Sequence, residues 1–293
     1  MDSVSSVEVS ITRCVADEQK LQADSLALEE PLEIRIGYTD DQKVRHTKSI
    51  SITMRTPGHD DELALGFLFT EAIIDNLGQV RDVKACGAKQ ALGFQNVIRV
   101  ELEDSVRIGM QRLQRHFYTS SSCGVCGKTS IAALKVQRKI VASVNAKLAV
   151  AQALIYRLPV MLQDSQKIFA STGGLHASAL FSPQGQLLFL REDVGRHNAL
   201  DKVIGYALKN NLLPLEQHIL MVSGRASFEL IQKAHMAAIQ MFVAVGAPSS
   251  LAVELARDQD MTLIGFLRDE RMNIYHGSRR ILQENFEHET IIN

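Results

Sequence analysis

Long apolar runs are missing from this chain. No stretch approaches the ~20 consecutive apolar residues that a membrane-spanning helix needs, so the sequence predicts no transmembrane segment. No export leader is predicted: the first residues mix Asp2, Glu8, Asp17 and Glu18 with no apolar centre, which does not fit a secretory signal. Cysteine is scarce. Four in 293 residues cannot supply a disulfide framework, and together with the lack of a leader this predicts a cytoplasmic protein with reduced thiols. Charge of one sign is also lacking, with 32 Lys and Arg against 33 Asp and Glu. The short basic cluster Arg112-Leu113-Gln114-Arg115-His116 reads as a solvated helix face, and no nucleic-acid partner is predicted. There is no internal repeat and no low-complexity tract. What is present, 46% hydrophobic and 22% charged residues, suits a globular chain with a sizeable core in one large domain or two.

Periodicity divides the chain. Residues 1–28 are polar and weakly patterned, and predict a flexible tail. Residues 31–37 and 49–55 alternate apolar and polar, the mark of half-buried strands, and Thr39-Asp40-Asp41 supplies turn chemistry for a hairpin. Thr56-Pro57-Gly58-His59 breaks the second strand. Asp60-Asp61-Glu62 then places negative charge at the start of a helix over 63–74, where it suits the helix dipole. Strands at 80–85 and 96–102 complete a smaller α+β domain, 29–115. Residues 116–165 form a connector with a cysteine loop and a helix that Pro159 ends. From 166 to 280 the class is α/β. Strands 176–181 and 186–190 flank the hairpin signal Ser182-Pro183-Gln184-Gly185, and a helix carries Leu200, Val203, Ile204, Ala207 and Leu208. Strand 219–222, helix 228–240, strand 242–245, helix 249–257 and strand 261–267 follow. That alternation predicts a largely parallel sheet covered on both faces, hence three layers.

The connector holds the densest chemistry. Cys123-Gly124-Val125-Cys126 lies between Ser120-Ser121-Ser122 and Gly127-Lys128-Thr129, and Ile131, Leu134, Val136, Ile140 and Val141 recur with helical spacing behind it. A thiol at a helix N-terminus beside a lysine is more readily a thiolate. The pair is therefore a candidate reactive site, and several readings stay open. Thioredoxin-type redox chemistry uses C-x-x-C at a helix start. A phosphate loop would need glycine where Ser122 stands. A structural zinc site would need a second ligand pair, whereas Cys86 is isolated and Cys14 lies in the predicted tail. No metal-ligand set is predicted.

Three junctions downstream are built alike: Glu192-Asp193-Val194-Gly195-Arg196-His197-Asn198, Ser223-Gly224-Arg225-Ala226-Ser227 and Gly246-Ala247-Pro248-Ser249-Ser250. Each leads from a strand into a helix N-terminus, where free N–H groups receive anions, and Arg196 and Arg225 are able to hold phosphate bidentately. Thr172-Gly173-Gly174 adds a further loop. Such loops gather at the carboxyl ends of strands in an open α/β sheet. Simple helix capping by Ser and Asp is the commoner explanation of any one of them, but three such junctions with arginines in one sheet favour an anion ligand. His197, between Arg196 and Asn198, is a candidate ligand or proton donor, and His176 is weighed beside it. His59, His116, His218, His235 and His276 have no comparable context.

These motifs together resemble the formate dehydrogenase accessory sulfurtransferases, the FdhD family. The match is carried by residues 57–68, by Ser122-Cys123-Gly124-Val125-Cys126-Gly127, by Thr172-Gly173-Gly174-Leu175-His176-Ala177, and by residues 191–199. Ser223-Gly224-Arg225, Gly246-Ala247-Pro248-Ser249-Ser250-Leu251-Ala252 and Phe266-Leu267-Arg268-Asp269-Glu270-Arg271 complete it. The resemblance implies a sulfurtransferase. Cys123 takes sulfur as a persulfide from a cysteine desulfurase, with Cys126 assisting. The acceptor is the molybdenum cofactor, bis-molybdopterin guanine dinucleotide, destined for formate dehydrogenase. It also implies that Phe266, Leu267, Arg268, Asp269, Glu270 and Arg271 hold that cofactor, together with Thr172, Gly173, Gly174, Asp193, Arg196, His197, Ser223, Gly224, Arg225 and Ser249. GDP, which shares the guanine nucleotide, is then expected to mimic the cofactor, and the protein to be a homodimer. The second domain is expected to be similar to the cytidine deaminase fold, but without deaminase chemistry. No Glu follows His197 at the required spacing, and residues 223–227 lack cysteine. A cofactor-binding chaperone and a thiol-disulfide oxidoreductase are the alternatives.

Overall fold

The computed structural model describes residues 5–106 and 148–283. Cys123, Cys126, the expected helix behind them and Arg112 to His116 lie outside the described residues.

In chain order the first elements are β1 (Ser6–Val15), β2 (Glu18–Ala27), β3 (Glu30–Thr39), β4 (Arg45–Arg55), α1 (Asp60–Thr70), β5 (Val80–Lys89) and β6 (Gln95–Leu102). Strands β3 to β6 form a four-stranded sheet in the order β4-β3-β6-β5. The hairpin expected between β3 and β4 is present, and Asp40 Oδ1 accepts from the N–H groups of Gln42 (2.9 Å) and Val44 (2.8 Å) in its turn. Leu32, Ile34 and Ile36 on β3, with Ile98, Val100 and Leu102 on β6, turn one face of the sheet into core. Helix α1 lies in that core. It buries Leu63, Ala64, Leu65, Leu68 and Phe69, too wide an apolar surface for one packing partner.

The remaining elements are β7 (Val150–Ala151), α2 (Gln152–Ser165), α3 (Lys167–Thr172), β8 (His176–Phe181), β9 (Leu187–Asp193), α4 (Arg196–Lys209), β10 (Ile219–Val222), α5 (Phe228–Met236), β11 (Met241–Ala244), α6 (Ser250–Asp258), β12 (Thr262–Arg268), β13 (Arg271–His276) and β14 (Ile281–Leu282). Six of the strands form one sheet, β13-β12-β11-β10-β8-β9. Alternation along each strand sends Leu180, Leu220, Val222, Phe242, Ala244 and Leu263 to the cluster shared with α4, α5 and α6. Ala179, Phe181, Met221, Val243 and Ile264 go to a second cluster with Ile155, Leu158 and Leu162 of α2. The three-layer α/β expectation therefore holds for this half.

The second partner of α1 is α4. A Cβ on Gly66 would lie 1.9 Å from the Asp201 carbonyl oxygen, and one on Gly205 would lie 1.8 Å from that of Glu62. The two backbones approach as closely as glycine alone permits. One hydrophobic cluster consequently runs from the four-stranded sheet through α1 and α4 to the six-stranded sheet.

Three expectations need correction. The sheet is mixed: only β10, β11 and β12 run parallel, with antiparallel β8, β9 and β13 outside them. Pro159 does not end a helix but sits inside α2, because Ile155, Leu158 and Leu162 keep one buried stripe on both sides of it. Residues 6–27 form an antiparallel ribbon rather than a tail, with Ser6 opposite Ala27 and Val15 opposite Glu18. Its alternating Val7, Val9 and Ile11 were diluted by polar neighbours, and β2 rests on α3. Among the described residues no helix is long and apolar enough to cross a membrane.

Candidate functional site

Parallel strands β10, β11 and β12 end at the same side of their sheet, and antiparallel pairing brings the start of β8 and the end of β9 there too. His176 lies opposite Asp193, and Ser178 opposite Val222. The loops are then laced by backbone hydrogen bonds. Gly246 donates to Gly224 O (3.1 Å), Phe266 to Gly246 O (3.2 Å), Ala226 to Ala247 O (3.1 Å) and Ser249 to Ala226 O (3.0 Å). The fold thus brings the three sequence junctions and the 266–271 segment to one edge. This is the place where ligands bind in open α/β sheets.

At the centre are His176, Gly224 and Arg196. A Cβ on Gly224 would stand 3.3 Å from His176 Nδ1 and 3.9 Å from Arg196 Cδ. Burial lowers the His176 pKa first, and the neighbouring Arg196 charge lowers it further, against an opposing pull from Asp193. Arg196 Nε is buried and has no hydrogen-bond partner among the described residues. An unsatisfied guanidinium nitrogen calls for an acceptor that the protein does not supply. His197 Nε2 lies 3.4 Å from Ser227 Oγ and 4.0 Å from Glu229 Oε2.

Other members of the set are committed elsewhere. Asp193 is fully buried. It pairs with Lys202 Nζ at 2.7 Å and accepts from the N–H groups of Thr56 (3.2 Å) and Gly195 (2.8 Å) and from Asn198 Nδ2 (3.1 Å). It fixes the end of β9 to the first half of the chain. Ser223 Oγ accepts from Ala177 N–H at 2.9 Å, and Ser249 Oγ from Ala252 N–H at 3.2 Å. Thr172 Oγ1 donates to Ile168 O at 2.8 Å, and Gly173 takes the left-handed φ of 67° that closes α3; Gly174 is exposed beside it. Glu192 holds α3 in place by accepting from Ile168 N–H (3.1 Å) and Phe169 N–H (2.8 Å).

The 266–271 segment forms the β12–β13 corner. Phe266 is 38% exposed and Leu267 fully buried, so the aromatic ring faces outward while the leucine anchors the strand in the core shared with α2. Asp269 and Glu270 have φ of 50° and 53°, which turns the chain tightly and leaves Arg268 and Arg271 exposed on its flanks. Sequence reasoning missed Glu229 as a neighbour of His197, since only the docking of α5 against α4 brings them together. It also missed the buried partners Lys202 and Thr56, which reach Asp193 from α4 and from the chain just ahead of α1.

The edge is suited to a large anion: helix N-termini, four arginines and an exposed aromatic ring converge on it. The FdhD/NarQ family profile matches residues 27–282. The sulfur carrier protein FdhD of Mycolicibacterium paratuberculosis is 46% identical over 274 residues, covering 92% of this chain and 97% of that protein. The protein of the same description from Streptomyces coelicolor is 46% identical over 260 residues, covering 88% and 89%. That from Saccharolobus solfataricus is 40% identical over 271 residues, covering 92% and 96%. A crystal structure of a candidate formate dehydrogenase accessory protein from Desulfotalea psychrophila has a similar fold. Its TM-score is 0.67 at 22% identity, over 94% of this chain and 99% of that one.

Proposed function

The chain belongs to the FdhD/NarQ family, and from that premise we propose that it is a sulfur carrier for the maturation of formate dehydrogenase. The observation that carries this reading is coverage. Relatives described as sulfur carriers match almost the whole chain, and the family span of 27–282 includes Cys123 and Cys126.

In this reading the Cys123 thiolate attacks the outer sulfur of a persulfide on a cysteine desulfurase. The S–S bond there breaks, the desulfurase thiolate leaves, and Cys123 holds the persulfide. Cys126 then attacks the Cys123 sulfur. The outer sulfur departs with the bonding pair as hydrosulfide, a Cys123–Cys126 disulfide forms, and a dithiol reductant resets the pair. The sulfur acceptor is the molybdenum cofactor with its two guanine dinucleotides, bound as substrate at the junction edge. The unpartnered Arg196 Nε supports a phosphate there, and the bare Gly224 supports close approach of a ligand. Phe266 offers a stacking surface for a base, with Arg225, Arg268 and Arg271 around it. GDP serves as the simple probe of this site. The hairpin followed by alternating helices and strands supports a deaminase-like scaffold, reused without zinc ligands. The protein acts as a cytoplasmic homodimer.

The test is loading. After incubation with desulfurase and cysteine, the wild type gains one sulfur by intact mass, and Cys123→Ala gains none. Undiminished loading of Cys123→Ala, with normal formate dehydrogenase maturation, contradicts the carrier role.

A further inference from the structure

Two serines hold the same position at neighbouring junctions, and only one performs the usual task. Ser249 is the N-cap of α6, and its hydroxyl accepts from Ala252 N–H at 3.2 Å. Ser227 is the N-cap of α5 and makes no side-chain cap bond. An N-cap serine that forgoes its cap gives up helix stability, so another use for its hydroxyl is expected. That hydroxyl lies 3.4 Å from His197 Nε2, with Glu229 Oε2 at 4.0 Å from the same nitrogen. The His197 and Glu229 side chains are only 13% and 16% exposed, so the three groups sit in a partly desolvated cluster at the mouth of the site.

We propose that His197, Ser227 and Glu229 form a proton relay for the step in which sulfide enters the acceptor. This inference rests on the sulfur-carrier reading. When sulfide replaces an oxygen ligand on a metal centre, hydrosulfide brings one proton, and the departing oxygen needs two to leave as water. The exchange moves no electrons, since the carried sulfur is already reduced when the Cys123–Cys126 disulfide forms. The missing proton comes from the Ser227 hydroxyl, which is replenished by the proton on His197 Nε2. The Glu229 carboxylate offsets the charge on the doubly protonated ring, and solvent restores the ring afterwards. Arg196 precedes His197 on α4, and its charge acts on His176 of β8, which Asp193 also influences. Ser227 meets the departing oxygen, while His197 and Glu229 are positioning and supply groups.

The experiment uses the full-length protein and the variants Ser227→Ala, Ser227→Thr, His197→Gln and Glu229→Gln. Three quantities are read: sulfur loaded on Cys123 by mass, GDP affinity by calorimetry, and the single-turnover rate of sulfur delivery to isolated molybdenum cofactor across pH. Ser227→Ala should load sulfur and bind GDP within about twofold of wild type, while delivery falls roughly 100-fold, the scale of a lost general acid; His197→Gln should load sulfur and show a similar fall in delivery. Ser227→Thr should restore most of the rate. The wild-type rate should fall at high pH as the donor loses its proton, and the His197→Gln rate should not follow that curve. Delivery by Ser227→Ala within about threefold of wild type overturns the relay, and this variant decides the matter if His197→Gln fails to fold. A parallel loss of GDP affinity also overturns it, because the group would then be a ligand contact. A wild type that never loads sulfur is a distinct result: it removes the carrier reading and the relay with it.

Discussion

The flank of α4 and the sheet edge beside its N-terminus treat charge oppositely. On the flank every buried charge meets its opposite. Asp193 pairs with Lys202 at 2.7 Å, Asp201 with Lys233 at 2.8 Å, and Glu62 with Arg191 at 2.6 Å. Hydroxyls and backbone groups fill the remaining positions: Thr70 Oγ1 donates to Asp201 at 2.9 Å, and Lys202 Nζ donates to Thr56 O at 2.9 Å. At the N-terminus, Arg196 Nε has no partner, and no carboxylate pairs with Arg225, Arg268 or Arg271 among the described residues. A buried charge without a partner is costly, so pairing on the flank is a condition of folding. Partial exposure relaxes that condition at the N-terminus, and cations left open there are available to a ligand. One sequence motif spans both environments: within residues 191–198, Arg191 and Asp193 join the two halves of the chain, while Arg196 and His197 face the site.

The sharpest way to break this contrast is to open the flank. Lys202→Met leaves Asp193 buried without its counter-charge and should cost about 3–5 kcal/mol of stability, seen as a lower urea midpoint. A midpoint unchanged within error would mean that Asp193 is not sealed. The contrast also has a pH signature. Burial pushes the Glu62 carboxyl upward, but hydrogen bonds from Arg191 and His59 outweigh it and bring the pKa from 4.5 to about 2. A folded pKa below the unfolded one contributes stability that is complete above pH 4.5 and is lost as pH falls towards about 2. Glu62→Gln should flatten that part of the stability–pH curve.

Much of this fold was legible in the chain, and the losses have identifiable causes. Strand 219–222 and the strand around 31–37 stood out because one or both faces are buried, which imposes a clean apolar pattern; 49–55 alternates as well, although its Ile52 and Met54 are exposed. Strand β13 did not, since Arg271 to His276 lies at the sheet edge with much of it exposed. The β1–β2 ribbon was missed for the same reason. At the site, the junctions were visible because loops that feed helix N-termini have local turn chemistry. Which members lie open at the edge and which are held in the core was not visible. Asp193 and Arg196 are three residues apart with opposite fates, and only the packing of α1 against α4 decides between them.

Smaller effects sharpen the comparison at the open end. Arg225→Ala should leave stability within about 0.5 kcal/mol but weaken GDP binding about tenfold, or ~1.4 kcal/mol. Equal affinity would remove Arg225 from the ligand surface. Smallest is the contrast between the two N-cap serines. Ser249→Ala should lose about 1 kcal/mol of stability, whereas Ser227→Ala should lose much less, because its hydroxyl makes no cap bond. Equal losses would show that Ser227 caps α5 after all.

The most direct test of the central claim is a chase. Radiolabelled sulfur from cysteine is loaded by a desulfurase, and molybdenum cofactor is then added. Label should appear on Cys123 and move to the cofactor, and Cys123→Ala should carry none. Label that stays on the chain after the cofactor is added, or that loads fully without Cys123, would contradict it.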